Sequence, residues 1–158
     1  MTWSEIADEI IANRRRRGWS SAYDLAPSLG GLLEELGELE EAWCASNAEG
    51  CIDALCDIAV YAIGAMRILR VNPDTMDLSS HGRPHGEYAH PMVRPLVRYA
   101  GQLAKAHKRG DGPAMQEAAT RLSSATVVFL GQVVKDPFAA IADVVRQNAT
   151  REHTGTHG

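Results

Sequence analysis

Apolar residues recur along this chain at helical spacing, and no stretch alternates apolar with polar residues as a half-buried strand does. Trp3 to Arg17 reads as a first helix with Ile6, Ile10 and Ile11 on one side, Ser4 as its N-cap and Gly18 as its end. Pro27 to Asn47 reads as a second, entered after Ser28, with Leu32, Leu33, Leu36, Leu39 and Trp43 inside. Glu49-Gly50 then breaks the pattern. From Cys51 to Val71 apolar residues occur nearly all round (Ile52, Leu55, Ile58, Val60, Ile63, Met66), as in the central helix of a bundle. Asn72-Pro73 stops it.

Residues 73–91 change character, holding Pro73, Pro84, Pro91, two glycines, and His81, His85 and His90. They read as a long connection, mobile or folded over a site, with surface histidines. A fourth helix is expected from Pro91 or Met92 to Arg109, on Val93, Leu96, Val97, Ala100, Leu103 and Ala104. Gly110-Asp111-Gly112-Pro113 is a turn. Ala114 to Val134 and Asp136 to Thr150 follow as helices, the latter capped by Asp136 with Pro137 at its first position. The pattern therefore predicts one all-α domain over 1–151, an antiparallel bundle of about six helices. Its acidic helices span 28–71, its C-terminal helices 92–150, and 152–158 is a frayed tail.

Composition narrows the function classes. A chain of 158 residues, 45% hydrophobic, is long enough for one well-buried core. A net charge of -4 argues against non-specific nucleic-acid binding. No apolar run approaches the roughly 18 residues of a membrane span. Met1 to Glu5 lacks the charged and apolar regions of a secretory signal. Three cysteines, Cys44, Cys51 and Cys56, are an odd count without zinc-site spacing, so reduced thiols in a cytoplasmic protein are expected.

One feature exceeds background. The second helix carries Glu34, Glu35, Glu38, Glu40 and Glu41; the third carries Asp53 and Asp57. With Leu36 at zero on a helical wheel, Glu35 and Glu38 fall together on one border of the apolar stripe, and Glu34 and Glu41 on the other. Clustered Glu on a helix is ordinarily a solvated face, and that reading suits Glu34, Glu40 and Glu41. Glu40 falls on the apolar side, where nothing in the pattern accounts for it. Asp53 and Asp57 lie one turn apart on the most apolar helix, and Asp is a poor helix former. Such carboxylates repel unless protonated or bridged by a cation. A short connection makes the two helices antiparallel neighbours, so their carboxylates can face one another. Oxygen donors without Cys or His in register suit Mg²⁺ or Mn²⁺, and Mg²⁺ takes phosphates as further ligands. That combination points to a phosphorylated substrate.

The segment Leu33-Glu34-Glu35-Leu36-Gly37-Glu38-Leu39-Glu40-Glu41-Ala42-Trp43, with Asp53-Ala54-Leu55-Cys56-Asp57-Ile58-Ala59-Val60-Tyr61, resembles the all-α NTP pyrophosphohydrolases. That superfamily includes MazG, the helical dUTPases and dCTPases, and phosphoribosyl-ATP pyrophosphatase. Its hallmark is E-E-x-x-E on one helix and E-x-x-D on the next. Glu34, Glu35 and Glu38 match the first half, Asp57 the terminal Asp, and Tyr61 the aromatic one turn later. The motif's second Glu falls on Ala54; Asp53, one residue earlier, resembles the D-x-L-x-D form of a MazG-like, phage-type branch. Asp53 is then a replacement ligand, or the site is one carboxylate short. The resemblance implies a Mg²⁺-dependent hydrolase (Mn²⁺ as alternative) that converts a nucleoside triphosphate to the monophosphate and pyrophosphate. It implies Glu35, Glu38 and Asp57 as metal ligands, Asp53 next and Glu34 outermost, with Glu38 or Glu35 taking the proton from water. It also implies a homodimer or higher homo-oligomer.

The substrate side is less marked. Arg17, in the run Arg14 to Arg17, is a candidate phosphate contact, although such a run is ordinarily a solvated helix end. Trp19 and Tyr61 are candidates to contact the nucleotide, whereas Trp43 sits on the core stripe. Asn148 and Arg151 resemble the branch's terminal Asn and basic residue. Two rivals stand beside this reading. One is a non-catalytic helical interaction module with a degenerate metal site. The other is a helix-turn-helix DNA binder, which the acidic balance disfavours.

Overall fold

A computed structural model describes residues 1–18, 23–79 and 93–151, and among them every regular element is helical. Six helices form: α1 (Trp3–Arg16), α2 (Ala26–Cys44), α3 (Ala48–Ile68), α4 (Val93–Arg109), α5 (Gly112–Val133) and α6 (Pro137–Thr150). A single 3₁₀ turn, Pro73–Thr75, follows α3.

The all-α bundle of six helices is as the periodicity predicts. α2 and α3 are joined by three residues, 45–47, and pack along their lengths as an antiparallel pair. α5 packs along α3, and Gln116 near its start donates to the Leu69 carbonyl at the end of α3 (2.9 Å). α5 thus runs antiparallel to α3. α4 ends two residues before α5 begins and packs on both α5 and α2, antiparallel to each. α1 and α6 close the other side of α3 and meet each other through an edge-to-face pair of Trp3 and Phe138 rings. The core is filled by Leu39, Leu55, Ile63, Met66, Leu122 and Ile141, all fully buried, and α3 has buried side chains on most of its circumference. No single described helix is long and apolar enough to cross a membrane.

Local chemistry moves several boundaries. Thr2, not Ser4, caps α1, its hydroxyl accepting from the Glu5 amide (3.1 Å). Gly18 takes φ +72° just beyond α1, the left-handed conformation expected at its end. Glu49-Gly50 is not a break but the first turn of α3. Asn47 caps it by accepting from the Gly50 amide (3.0 Å), and a Cβ at Gly50 would come 2.7 Å from the Asn47 side chain. Asp111 caps α5 through the Ala114 amide (3.1 Å), so that helix starts at Gly112 inside the expected turn. Asp136 caps α6 with Pro137 first, as expected. Leu33, expected inside, is 74% exposed. It sits at the edge of the apolar stripe, where no neighbouring helix covers it. Trp43 is partly buried against the core. The three cysteines are free. Trp19, His81, His85, His90 and the tail 152–158 lie outside the described residues.

Candidate active site

Five carboxylates come to one place. α2 presents Glu34, Glu35 and Glu38, and α3 presents Asp53 and Asp57, to a single cavity of about 510 Å³. On α3, Val60 and Tyr61 continue the wall. Tyr61 is seated by a glycine: a Cβ on Gly31 of α2 would lie 2.3 Å from its ring. The aromatic and the carboxylates are thus held by one close α2–α3 contact.

The opposite wall is cationic and polar. α1 supplies Asn13 and Arg14, with Arg17 just past its end; α6 supplies Gln147 and Asn148, with Arg151 just past its end. Arg14 is 5% exposed and donates to the Ser28 hydroxyl (2.6 Å). Asn13 ties the two helices together by donating to the Val145 carbonyl (3.0 Å), while its own side-chain oxygen accepts from Arg16 within α1. Arg15 and Arg16 turn outward, Arg15 to the Tyr23 hydroxyl (2.9 Å) and Arg16 to Glu9 (3.5 Å). The four-arginine run therefore divides: two members line the cavity and two are surface partners.

The electrostatics record the crowding. Burial pushes the Glu35 carboxyl up to about 8, with Asp57, a hydrogen bond to Glu38 and the charges of Glu38 and Glu34 adding to it. Burial and then Glu38 and Asp53 raise Asp57 to about 6, while Arg151 pulls it back. Tyr61 is raised by burial and by Glu35, with Arg14 opposing. Burial lowers Arg14 to about 10, so it remains a cation at neutral pH. Arg17 is lowered by burial and then by Arg151. Two buried polar atoms, Glu35 Oε2 and Arg17 Nη2, have no hydrogen-bond partner among the described residues. Both belong to residues lining the cavity, one on each wall.

The carboxylates do not close into a cage. Among the described residues, no three Asp, Glu, His or Cys side chains stand together as a ready-made metal site. The donor set is nonetheless all oxygen, on a cavity wall with an orphaned buried carboxylate oxygen. Mg²⁺ keeps several waters and uses one or two protein carboxylates, so it needs no such cage. The residues fit a hard divalent cation in kind.

Every described candidate from the sequence, Glu34, Glu35, Glu38, Asp53, Asp57, Tyr61, Arg17, Asn148 and Arg151, lines this one cavity. Sequence reasoning missed Asn13 and Gln147 and left Arg14 among the ordinary cations of a helix end. The one available signal was Asn13-Arg14 falling three and four residues after Ile10, on the apolar face of α1. Comparison with protein-family models, curated proteins and solved structures finds no match to this chain.

Proposed function

We propose that this cavity is the active site of a Mg²⁺-dependent nucleoside triphosphate pyrophosphohydrolase, with Mn²⁺ as an alternative ion. The observation that carries the reading is the division of one cavity into a carboxylate wall and an arginine wall. A polyphosphate with a divalent cation has this charge pattern: the cation seeks oxygen anions and the phosphate oxygens seek guanidinium forks. The orphaned Glu35 Oε2 and Arg17 Nη2 are one acceptor and one donor awaiting such partners.

Glu35, Glu38 and Asp57 would hold the cation, with Asp53 beside them and Glu34 outermost. When bound, the ion neutralises phosphate charge and aids ionisation of the attacking water. Arg14, Arg17 and Arg151 orient the phosphates, and Asn148 and Gln147 offer amide donors beside them. In the reaction, a water oxygen bonds to the α-phosphorus and the bond from that phosphorus to the bridging oxygen breaks. Pyrophosphate leaves with those electrons. Glu38 or Glu35 takes the water's proton. Tyr61, fixed against Gly31, borders the nucleotide.

A second reading has a specific observation behind it: among the described residues no three of the carboxylates form a ready-made metal site, and Ala54 stands where the motif has Glu. On that reading the cavity binds a phosphorylated ligand without turnover. Pyrophosphate release from a panel of dNTPs and NTPs, with Mg²⁺ or Mn²⁺ and an EDTA control, separates the two. We expect metal-dependent release, reduced about a hundredfold or more in Asp57→Asn. Asp57→Asn should melt no lower than the parent, because it removes a half-buried charge that burial, Glu38 and Asp53 disfavour and Arg151 offsets only in part. Binding without turnover across the panel would support the second reading.

A further inference from the structure

Among the described residues Arg14 is the one lysine or arginine that is buried outright, and it still lines the carboxylate cavity. Two small residues admit it. Ser28 of α2, fully buried, accepts from Arg14 Nη2 at 2.6 Å. Gly64 of α3 leaves the space beside it: a Cβ there would stand 3.2 Å from Nη2, 3.6 Å from Cζ and 3.0 Å from Ile10 Cγ2. Ile10 lies one turn before Arg14 on α1, so a side chain at Gly64 would press on the guanidinium and on the helix that carries it. Neither Ser28 nor Gly64 is among the residues lining the cavity.

The chemistry of this seat suits recognition of an anion. A guanidinium is a planar fork, so holding one nitrogen sets the direction of the others. The Ser28 hydroxyl is a neutral acceptor, which orients the fork without neutralising it. Arg16 and Arg67 are instead answered by the carboxylates of Glu9 and Asp8. The seat also adjoins that of Tyr61. Ser28 and Gly31 lie one turn apart on α2, Tyr61 and Gly64 one turn apart on α3, and Arg14 and Tyr61 sense each other's charge. We infer that Ser28 and Gly64 are positioning residues: they aim the Arg14 guanidinium at the phosphate oxygens of the ligand and touch no substrate themselves. The inference rests on the phosphate reading of the cavity and adds to it the residues on which Arg14's share of binding depends.

Titration calorimetry of the full-length chain with inorganic pyrophosphate and Mg²⁺ tests it, beside ¹⁵N NMR of the arginine side chains. Ser28→Ala removes the acceptor, and Gly64→Ala intrudes on the fork. Each should weaken pyrophosphate binding by about tenfold or more. Each should also merge or broaden the Arg14 Nη signals, which a held guanidinium keeps apart. In turnover both should raise KM more than they lower kcat. Asp111→Ala removes the cap of α5, away from the cavity, so it should lower the melting temperature and leave pyrophosphate affinity unchanged. Folded Ser28→Ala and Gly64→Ala chains that bind as the parent does, or that keep its Arg14 signals, would overturn the role and leave the phosphate reading standing. An equal loss of affinity in Asp111→Ala would overturn it too, by tracing the effect to stability alone. A parent that binds no pyrophosphate would overturn the phosphate reading, and this role with it.

Discussion

Gly31 has no side chain because Tyr61 occupies the place where one would be. A methyl there would meet ring atoms at 2.3 and 2.5 Å, far inside contact distance, so the ring must move. Tyr61 lines the cavity, and its displacement is felt there. We expect Gly31→Ala to cost about 1–3 kcal/mol, seen as a lowered melting temperature. On the proposed reaction it should also raise KM for the nucleotide more than it lowers kcat, because that proposal sets Tyr61 beside the substrate and gives it no part in bond breaking. An unchanged melting temperature would show that the ring finds a second seat without strain. At this scale the sequence was informative where chemistry is unusual for its position. Asp53 and Asp57 stood out on an apolar helix. Leu33 misled because a helical wheel shows which residues share a face but not where neighbouring helices stop covering it.

The elements themselves were largely legible, because helical spacing of apolar residues survives any particular packing. Their ends were less so. Gly50 reads as a helix breaker, yet it is required by the cap: the Asn47 side chain folds into the space its missing Cβ leaves. Asn47→Ala should remove that bond and destabilise the chain by about 1 kcal/mol, measured as a lower urea midpoint with an unchanged slope. Gly50→Ala should do similar harm by displacing the same side chain, although alanine is the better helix former. The cationic wall was legible only in part, because α1 and α6 are distant in sequence and meet through the Trp3–Phe138 rings and the Asn13–Val145 bond. No spacing rule connects such residues; packing does.

Across the whole molecule, the carboxylate wall ties stability to pH. Asp57 at about 6 and Glu35 at about 8 both stand above ordinary carboxyl values near 4. The folded chain thus holds these protons more tightly than the unfolded chain. That contribution is complete below the unfolded values and is lost as pH rises through about 6 and then about 8. In EDTA the urea midpoint should therefore fall over this range, and Mg²⁺ should restore it chiefly at the alkaline end, where ionised carboxylates are present to bind it. A metal-free midpoint that climbs over the same range would contradict the raised carboxyls.

Arg14 has one more consequence. A guanidinium that is 5% exposed and already bonded to Ser28 gave up most of its water when the chain folded. An anion arriving beside it meets a fixed, largely dehydrated cation and has little hydration left to displace on that side. The dehydration belongs to folding and not to binding. Arg14 is therefore preorganised, whereas the exposed Arg151 still has its water to lose.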